Sequence, residues 1–494
     1  MKLYKLLIII IPFFCLSVYA NNDNKKENII FIIVDDLRDL DMADNQLQIL
    51  TPNIDKLKKS GVTFKNSFTN NPVCGASRAS LLTGLRPTKN RFTTFHTKIN
   101  EDAPNSLTIA SHLKNNGYRT ISNGKISHHA RDAAYGWDDI FRGTRNNPKD
   151  YKDPINIKNL KNNFGPASEF VYTDDNDYSD GKVAQKTIRD IKSINQSDKP
   201  FFIAVGFQKP HLPFVAPKKY WDLYDKDDIV LPLNNFFPPN APQKANYFYE
   251  LRKFTDIPEK GAISDDKAKE IIHAYYACVS YIDAQIGLIL DELKSQGLSN
   301  NTTVVLTSDH GFSLSEHGRW TKHNLFQYEL KIPMIISSPK YKKNKTSESF
   351  VELVDLFPTF CDLAELETPD FVQGNSLVTN LKSPNKVTNE IAFSIWKNGE
   401  TLISNKYYYT EWKRKGELID RMLYDIENDE LQMNNIAEIK SNKLKLLIFS
   451  TGKSNVKAYL KYALVFFSMA SIPKVFLTFS VNDSGAPVSF EAEN

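Results

Sequence analysis

The sequence predicts an α/β fold in which a large, mixed and mostly parallel sheet is sandwiched between helices, with a small antiparallel sheet towards the carboxyl terminus. Several apolar, β-rich runs end abruptly in charged residues, which is typical of buried parallel strands with functional groups at their carboxyl ends. Helical patterns such as 106–116 and 183–194 alternate with these runs. Short strand patterns at 391–396, 400–404 and 407–412, separated by turns, indicate the antiparallel subdomain.

The four apolar runs share one arrangement, because each is followed by side chains that can bind metals, move protons or carry positive charge. Residues 29–34 are followed by Asp35 and Asp36, 118–122 by Lys125 and His128, 201–207 by Lys209 and His211, and 303–307 by Asp309 and His310. If these runs are parallel strands of one sheet, their terminal groups meet at one edge. A single cluster has a structural explanation, but four together predict a functional site. A long amphipathic helix is predicted at 264–296.

The first twenty residues have the pattern of a signal peptide. Lys2 and Lys5 precede the apolar stretch 6–18, and Ala20 offers a cleavage site. A lipoprotein anchor at Cys15 is disfavoured, because bulky residues precede that cysteine. We therefore expect an exported protein, periplasmic or secreted. No other run reaches the roughly twenty apolar residues needed to span a bilayer, so no transmembrane segment is predicted.

The net charge and the cysteine content disfavour two classes of protein: nucleic-acid-binding proteins and disulfide-stabilised proteins. Cleavage after Ala20 would lower the formal net charge from +4 to +2, which gives no reason to expect nucleic-acid binding. Three cysteines would remain, and an odd number argues against a disulfide framework. Cys278 and Cys361 lie in apolar patterns and are predicted core residues. Cys74 differs, since it lies in a polar, Gly/Ser-rich turn.

The segment 74–84 (CGASRASLLTG) places Cys74 four residues before Arg78 at a helix start. It resembles the signature of the sulfatases, Cys-x-Pro/Ala-x-Arg followed by Leu-Leu-Thr-Gly, whose cysteine is oxidised to formylglycine (3-oxoalanine). The span 26–437 resembles formylglycine-dependent sulfatases of the alkaline phosphatase superfamily and is iduronate-2-sulfatase-like. The motifs that carry the resemblance are 28–36, 74–84, 124–128, 200–214 (PFFIAVGFQKPHLPF), 307–322 (TSDHGFSLSEHGRWTK), 351–358 (VELVDLFP), 423–425 and 435–437.

The resemblance implies a fold and a metal site. The fold is alkaline-phosphatase-like, and one divalent ion would be held by Asp35, Asp36, Asp309, His310 and the modified Cys74. Carboxylate oxygens suit Ca²⁺, with Mg²⁺ as the alternative. The scarcity of His and Cys ligands disfavours zinc.

The resemblance also implies catalytic roles. Formylglycine would hydrate to a gem-diol, one hydroxyl of which attacks the sulfur of a sulfate ester. Arg78 would fix that group, while Lys125 and Lys322 would hold the sulfate. His211 is the predicted general acid, with Lys322 assisting. His128 is the predicted base that takes a proton from the second hydroxyl.

These inferences divide the chain into four predicted parts: a signal peptide at 1–20, a catalytic sulfatase domain at 21–385, a C-terminal α+β subdomain at 386–450, and a tail at 451–494 without an assigned role. The protein is predicted to hydrolyse sulfate esters of a sulfated polysaccharide or oligosaccharide. The Lys-, Asn- and Ile-rich composition resembles that of AT-rich marine bacteria, so ulvan and carrageenan are candidate substrates beside 2-sulfated uronates.

Loops at 92–105, 130–163 and 231–256 are expected to line the sugar subsites. The predicted partners are the sulfated carbohydrate and a formylglycine-generating or anaerobic maturation enzyme. Two alternatives stay open at this point. One is a phosphoester or phosphonate hydrolase on the same scaffold, and the other is a sulfated-glycan-binding protein in which Cys74 stays unconverted.

Overall fold

The computed structural model of the chain describes residues 26–42, 49–143, 149–195, 197–247 and 249–437, together with the backbone of 476–481 and 487–493. The predicted signal peptide lies outside the described residues, and so does most of the predicted tail. Within the described residues, no helix combines the length and the apolar character needed to cross a membrane.

The described residues contain eighteen strands. In chain order these are β1 (Asn28–Val34), β2 (Val62–Phe68), β3 (Arg119–Gly124), β4 (Asp139–Phe141), β5 (Ser168–Val171), β6 (Phe201–Phe207), β7 (Phe214–Pro217), β8 (Thr302–Ser308), β9 (Ser313–Leu314), β10 (Trp320–Thr321), β11 (Met334–Ser337), β12 (Lys345–Glu352), β13 (Ile391–Trp396), β14 (Gly399–Ser404), β15 (Tyr407–Arg414), β16 (Glu417–Asp425), β17 (Phe476–Val481) and β18 (Pro487–Glu493).

The same residues contain eleven α-helices. These are α1 (Pro52–Ser60), α2 (Cys74–Thr83), α3 (Ile99–Asp102), α4 (Ile109–Asn115), α5 (Pro154–Lys158), α6 (Ser179–Ile194), α7 (Lys218–Trp221), α8 (Asp265–Ser295), α9 (Gln327–Leu330), α10 (Leu356–Leu363) and α11 (Val378–Lys382).

Eight strands form the main sheet, in the order β12-β2-β11-β8-β1-β6-β3-β4. β1 pairs in parallel with both β6 and β8, and β3 pairs in parallel with β6. β11 runs antiparallel to β8 and to β2, so the sheet is mixed. The predicted fold class is confirmed, and the four apolar runs are neighbouring strands that point the same way.

β1 contributes to apolar cores on both faces of the sheet, because successive side chains of a strand point to opposite sides. Ile29, Phe31 and Ile33 pack in the apolar core that includes residues of α2, α4 and α10. Ile30 and Ile32 pack in a second core, with residues of α1, α6 and α8. The helices therefore cover both faces, as a continuous apolar run predicts for a central strand.

Capping residues explain where two of the predicted helices begin. α4 starts at residue 109 and not at 106, because Thr108 Oγ1 accepts a hydrogen bond from the Ser111 N–H while Ser111 Oγ accepts one from the Thr108 N–H. α8 starts after Ser264, whose side chain accepts a hydrogen bond from the third residue of the helix. α6 begins four residues before its predicted start at 183.

The antiparallel subdomain is a four-stranded sheet in the order β13-β14-β15-β16. Its first strand contacts the loop that precedes α2. The Ile395 N–H donates to the Asn70 carbonyl at 2.9 Å, and the Asn70 side chain donates to the Phe393 carbonyl at 3.1 Å. β13 therefore lies beside the loop that leads to Cys74. The proposed domain boundaries themselves stay a prediction.

Candidate active site

The polar clusters of two neighbouring strands meet at the carboxyl edge of the main sheet. Asp35 and Asp36 follow β1, and Asp309 and His310 follow β8. All four side chains are fully buried. The Asp36 N–H donates to Asp309 Oδ1 at 3.2 Å, which ties the two strand ends together.

Cys74 is the first residue of α2, and its Sγ lies 3.1 Å from Nε2 of His310. Burial raises the pKa of the Cys74 thiol well above its ordinary value. The encoded thiol therefore stays protonated and is a weak nucleophile. Cys278 and Cys361 are buried in the two apolar cores, as predicted, and none of the three cysteines in the described residues forms a disulfide.

Arg78 lies one helical turn after the thiol and is fully buried. Its Nε donates to Asp309 Oδ2 at 2.8 Å, and its Nη2 donates to Asp35 Oδ1 at 3.2 Å. Its Nη1 donates to the carbonyl of Lys125, just after β3. A planar guanidinium can satisfy several acceptors at once, so Arg78 joins α2 to the ends of β1, β8 and β3.

Gly75 allows the loop after α2 to cover the start of that helix. A Cβ at this position would lie 2.7 Å from the Phe95 carbonyl oxygen, which only glycine avoids. The Phe95 ring is 50% exposed and lies 6.5 Å from the ring of His128. The loop at 92–105, which the sequence places at the sugar subsites, therefore borders this site.

The acidic side chains fit a hard divalent cation. His310 Nδ1 lies 3.0 Å from the Gly311 carbonyl, which places the ring proton on Nδ1 and leaves Nε2 free for a metal. Burial raises the pKa of Asp36 to about 6, even though Lys322 and His310 act in the opposite direction. A divalent cation beside Asp36 would add positive charge that favours the ionised carboxylate. Two groups of side chains have ligand atoms within 4.8 Å of one another: Asp35, Asp36, Cys74 and His211, and Cys74, Asp309 and His310.

Two lysines place positive charge beside these carboxylates. Lys125 Nζ donates to Asp35 Oδ2, and Lys322 Nζ donates to Asp36 Oδ2 at 2.8 Å. Burial lowers the pKa of Lys322, but Asp36 and Glu250 outweigh that effect and hold the pKa well above its ordinary value. Lys322 is therefore protonated, and both cations can face an anionic substrate group.

The two histidines with predicted proton-transfer roles are neutral. Burial lowers the pKa of His128 to about 3, and its Nδ1 has no hydrogen-bond partner among the described residues. Burial, together with Lys322, holds the pKa of His211 well below its ordinary value. His211 Nδ1 donates to the Leu212 carbonyl at 2.7 Å, so Nε2 carries no proton and faces Glu250 Oε1 at 3.7 Å.

Glu250 is a site residue that sequence reasoning missed. Its Oε1 lies 3.2 Å from Lys322 Nζ, and its Oε2 lies 3.9 Å from His323 Nδ1. Burial raises the pKa of Glu250, but Lys322, His211 and His323 outweigh that effect and hold it well below its ordinary value. The residue lies within the predicted subsite loop 231–256. No motif or periodicity marks it there, because the chain around it is irregular.

Sequence comparisons identify relatives along most of the chain. The Sulfatase family model matches residues 27–366, and the model of the N-sulphoglucosamine sulphohydrolase C-terminal region matches 315–448. Iduronate 2-sulfatase of Mus musculus is 32% identical over 405 residues, which cover 72% of each protein. A sulfatase of Formosa agariphila is 30% identical over 418 residues and covers 78% of this chain and 79% of the relative. An ulvan-active sulfatase of the same organism is 27% identical over 385 residues, with 74% and 67% covered.

Two solved structures share the fold. One was determined in complex with its substrate D-glucosamine-2-N,6-O-disulfate; it has a TM-score of 0.69 at 22% identity, and the match covers 84% of this chain and 94% of that chain. The phosphonate monoester hydrolase from Silicibacter pomeroyi also has a TM-score of 0.69, at 20% identity, with 84% and 92% covered.

Proposed function

Because this chain belongs to the sulfatase family of sulfuric ester hydrolases, we propose that it is exported and acts on a sulfated polysaccharide or oligosaccharide. One observation carries this proposal: Cys74, three buried carboxylates, His310 and two lysines converge at a single sheet edge. A buried site with fixed cations suits an anionic ester, because preorganised charges act most strongly where water is excluded.

We further propose that Cys74 is converted to formylglycine beside a divalent ion held by Asp35, Asp36, Asp309 and His310. A bound Ca²⁺ or Mg²⁺ would supply positive charge to a sulfate oxygen and lower the pKa of a hydroxyl on residue 74. The protonation state of the encoded residue supports conversion. A buried thiol with a raised pKa is poorly suited to attack an anionic ester.

Arg78 and the two lysines have separate tasks in this proposal. Arg78 fixes residue 74 by joining its helix to Asp309 and Asp35, and it is too fully paired to be the main substrate contact. Lys125 Nζ contacts Asp35, whereas Lys322 Nζ donates to both carboxylate oxygens of Asp36 and lies 3.2 Å from Glu250 Oε1. In this proposal each lysine also holds an oxygen of the sulfate group. Their charges neutralise the transferring group in the transition state.

The protonation states of His128, His211 and Lys322 bear on which residue acts as the general acid and which as the base. His128 stays our proposed base: its pKa of about 3 leaves the ring neutral and open to a proton from residue 74, but it also makes the ring a weak base in the free enzyme. His211 stays our proposed general acid for the departing alcohol, but it must first gain a proton at Nε2. Lys322 already carries a proton and, like His211, lies beside Oε1 of Glu250, so it can assist His211, but the carboxylates that raise its pKa make it the weaker acid of the two.

The proposed substrates follow from the names of two relatives. Iduronate 2-sulfatase and the ulvan-active sulfatase both act on sulfated sugars that their names specify. We propose an algal glycan such as ulvan or carrageenan, or a 2-sulfated uronate, as the substrate of this chain. Loops around the common site determine the sugar, since fold and core site are shared across such enzymes.

Sulfate release tests the proposal directly. The matured protein is incubated with 2-sulfated uronate oligosaccharides, ulvan and carrageenan, and free sulfate is measured by ion chromatography. We expect release from at least one substrate, and none from the Cys74→Ala variant. A fully matured protein that releases no sulfate from any of them would refute the proposal.

Phosphonate or phosphoester hydrolysis is the second candidate function, because the phosphonate monoester hydrolase shares the fold. Matched sulfate and phosphate esters of the same alcohol separate the two functions. We expect a higher kcat/KM for the sulfate ester, and a higher value for the phosphate ester would favour the second function. Glycan binding without release of either group would indicate a binding protein.

A further inference from the structure

A lysine stands at the tip of the hairpin between β13 and β14. Lys397 has a left-handed backbone conformation with φ of 53°. Its Nζ lies 4.3 Å from the ring centroid of Trp396 and 5.2 Å from that of Tyr247. The turn therefore holds one positive charge against rings from two distant parts of the chain.

The charge of Lys397 is not matched by a carboxylate within the part of the chain that the structure describes. Its pKa is lowered, and burial is the cause. Lys397 is nonetheless exposed to solvent, so its ammonium group is accessible to a ligand. Lys406, in the turn between β14 and β15, provides the contrast. It lies 5.5 Å from the Tyr407 ring and also pairs with Glu427 at 3.3 Å.

Tyr247 connects Lys397 to the proposed sulfate-binding cations. The Tyr247 ring centroid lies 5.1 Å from that of His323. His323 Nδ1 lies 3.9 Å from Glu250 Oε2, and Glu250 Oε1 lies 3.2 Å from Lys322 Nζ. This short series of contacts places Lys397 at the border of the candidate active site and not on a remote surface.

The hairpin that carries Lys397 is fixed to the active-site loop. The Ile395 N–H, two residues earlier, donates to the Asn70 carbonyl, and Asn70 lies four residues before Cys74. A cation held by such anchors loses little conformational freedom when a ligand binds. Preorganisation of this kind increases affinity.

We propose that Lys397, with the rings of Tyr247 and Trp396, binds an anionic group that the substrate carries in addition to its scissile sulfate ester. This inference rests on the proposed function and names a specificity determinant of the same site. The group is a uronate carboxylate or a second sulfate, which share anionic oxygens. Either would give the exposed ammonium of Lys397 a counter-charge, and a hydrogen bond between two charged groups is stronger than one between neutral groups.

Steady-state kinetics test the proposal with Lys397→Gln and the matched control Lys406→Gln. The substrates are a 2-sulfated uronate disaccharide, its carboxyl-reduced form, a disulfated hexosamine and an aryl sulfate. For substrates with a second anionic group, we expect Lys397→Gln to raise KM about tenfold with little change in kcat. Lys406→Gln should behave as wild type.

The substrates also distinguish the two sources of the anionic group. If the increase in KM caused by Lys397→Gln disappears with the carboxyl-reduced disaccharide, the anionic group is the uronate carboxylate. If Lys397→Gln raises KM only for the disulfated hexosamine, the anionic group is a second sulfate. Equal KM values for wild type and Lys397→Gln on all substrates would overturn the proposal.

Equilibrium binding separates this inference from the proposed function. Both lysine variants are placed in a Cys74→Ala background, which cannot turn over, and titrated calorimetrically with the same sugars. An affinity about tenfold lower with Lys397→Gln supports the anion site even if the wild type releases no sulfate. Equal affinities, or no binding of any of the sugars, would overturn it.

Discussion

Cys74 lies in surroundings that suit a different functional group from the one encoded. Burial raises the pKa of its thiol, and His310 Nε2 lies 3.1 Å from Sγ. The same position lies among carboxylates that fit a hard cation, which prefers oxygen to sulfur ligands. An oxygen-bearing residue 74 would therefore match its neighbours better than a thiol does.

The proton donor can be identified at the scale of single residues. His211→Gln should lower kcat/KM for a sugar sulfate on the order of 100-fold, because a sugar alcohol is a poor leaving group unless an acid protonates its oxygen. The loss should be much smaller for an aryl sulfate, whose acidic phenol needs less protonation. Kinetics with both substrates measure the difference.

A matched control accompanies that measurement. His112→Gln changes a histidine of α4 that contacts the Glu367 carbonyl, outside the candidate site, and should show no dependence on the leaving group. An equal loss for the two substrates in His211→Gln would instead indicate that His211 only positions other groups. Lys322, which is protonated and lies beside Glu250, would then be the remaining candidate donor.

Two strands of the main sheet approach each other closely at the site. Gly124 of β3 and Gly206 of β6 are paired in register. A Cβ on Gly206 would overlap the Lys125 carbonyl, which accepts a hydrogen bond from Arg78. The Lys125 carbonyl can therefore lie against β6, where Arg78 of α2 donates to it, only because Gly206 has no side chain.

Substituting this glycine tests how the strands position the site. Gly206→Ala should displace the Lys125 backbone and lower kcat on the order of 100-fold, with a stability loss of about 1–3 kcal/mol. Gly297→Ala is the control, since a Cβ there meets open space at a φ of 71°. It should lose about 1 kcal/mol and keep its kcat. Unchanged kcat in Gly206→Ala would contradict the positioning argument.

The first turn of α6 holds the segment that carries His211. Both carboxylate oxygens of Asp180 accept backbone hydrogen bonds, from Gln208 at 2.9 Å and from Lys209 at 2.8 Å. Lys209 Nζ in turn donates to the His211 carbonyl at 2.9 Å. Burial nevertheless raises the pKa of Asp180 to about 6.

This raised pKa predicts a dependence of stability on pH. Between the ordinary pKa of 3.8 and about 6, Asp180 is protonated in the folded state and ionised in the unfolded state. Its contribution to the free energy of unfolding is therefore complete below 3.8 and is lost as pH rises through about 6. Relative to Asp180→Asn, the wild type should lose about 3 kcal/mol of stability between about pH 4 and pH 7. Urea unfolding across this range measures the difference, and parallel curves would refute the prediction.

On the scale of the whole molecule, the elements that can be predicted from the sequence are those with a continuous or periodic apolar pattern. β1, β3, β6 and β8 could be predicted because strands buried on both faces are apolar throughout and end in polar residues. Their shared edge then brought Asp35, Asp36, Asp309 and His310 together. Antiparallel β11 could not be predicted, since a strand of three apolar residues and a serine fits either direction.

The unpredicted site residues reach the edge by tertiary packing. Glu250 comes from irregular chain, and Lys397 comes from a different sheet that docks through Asn70. Neither has a spacing relative to the motifs that sequence could reveal. The carboxylate cluster follows from sheet topology, whereas the proposed anion site at Lys397 depends on the docking of a subdomain.

Metal binding should stabilise the whole molecule. Chelator-treated protein should gain about 2.7 kcal/mol when Ca²⁺ is added at a hundred times its Kd, because the ion binds the folded state only. Thermal unfolding with Ca²⁺ and with Mg²⁺ measures the gain and ranks the ions. Asp309→Asn should abolish it, while Asp41→Asn, which removes a surface partner of Lys58, should retain it. No shift with either ion would contradict the metal assignment.

The mass spectrum of the peptide that contains Cys74 tests the central claim most directly. The peptide is taken from protein that releases sulfate, and it is also treated with a carbonyl-reactive probe. We predict that residue 74 has lost its sulfur and reacts with the probe as an aldehyde. An intact cysteine at position 74 in active protein would contradict the claim that this chain acts through formylglycine.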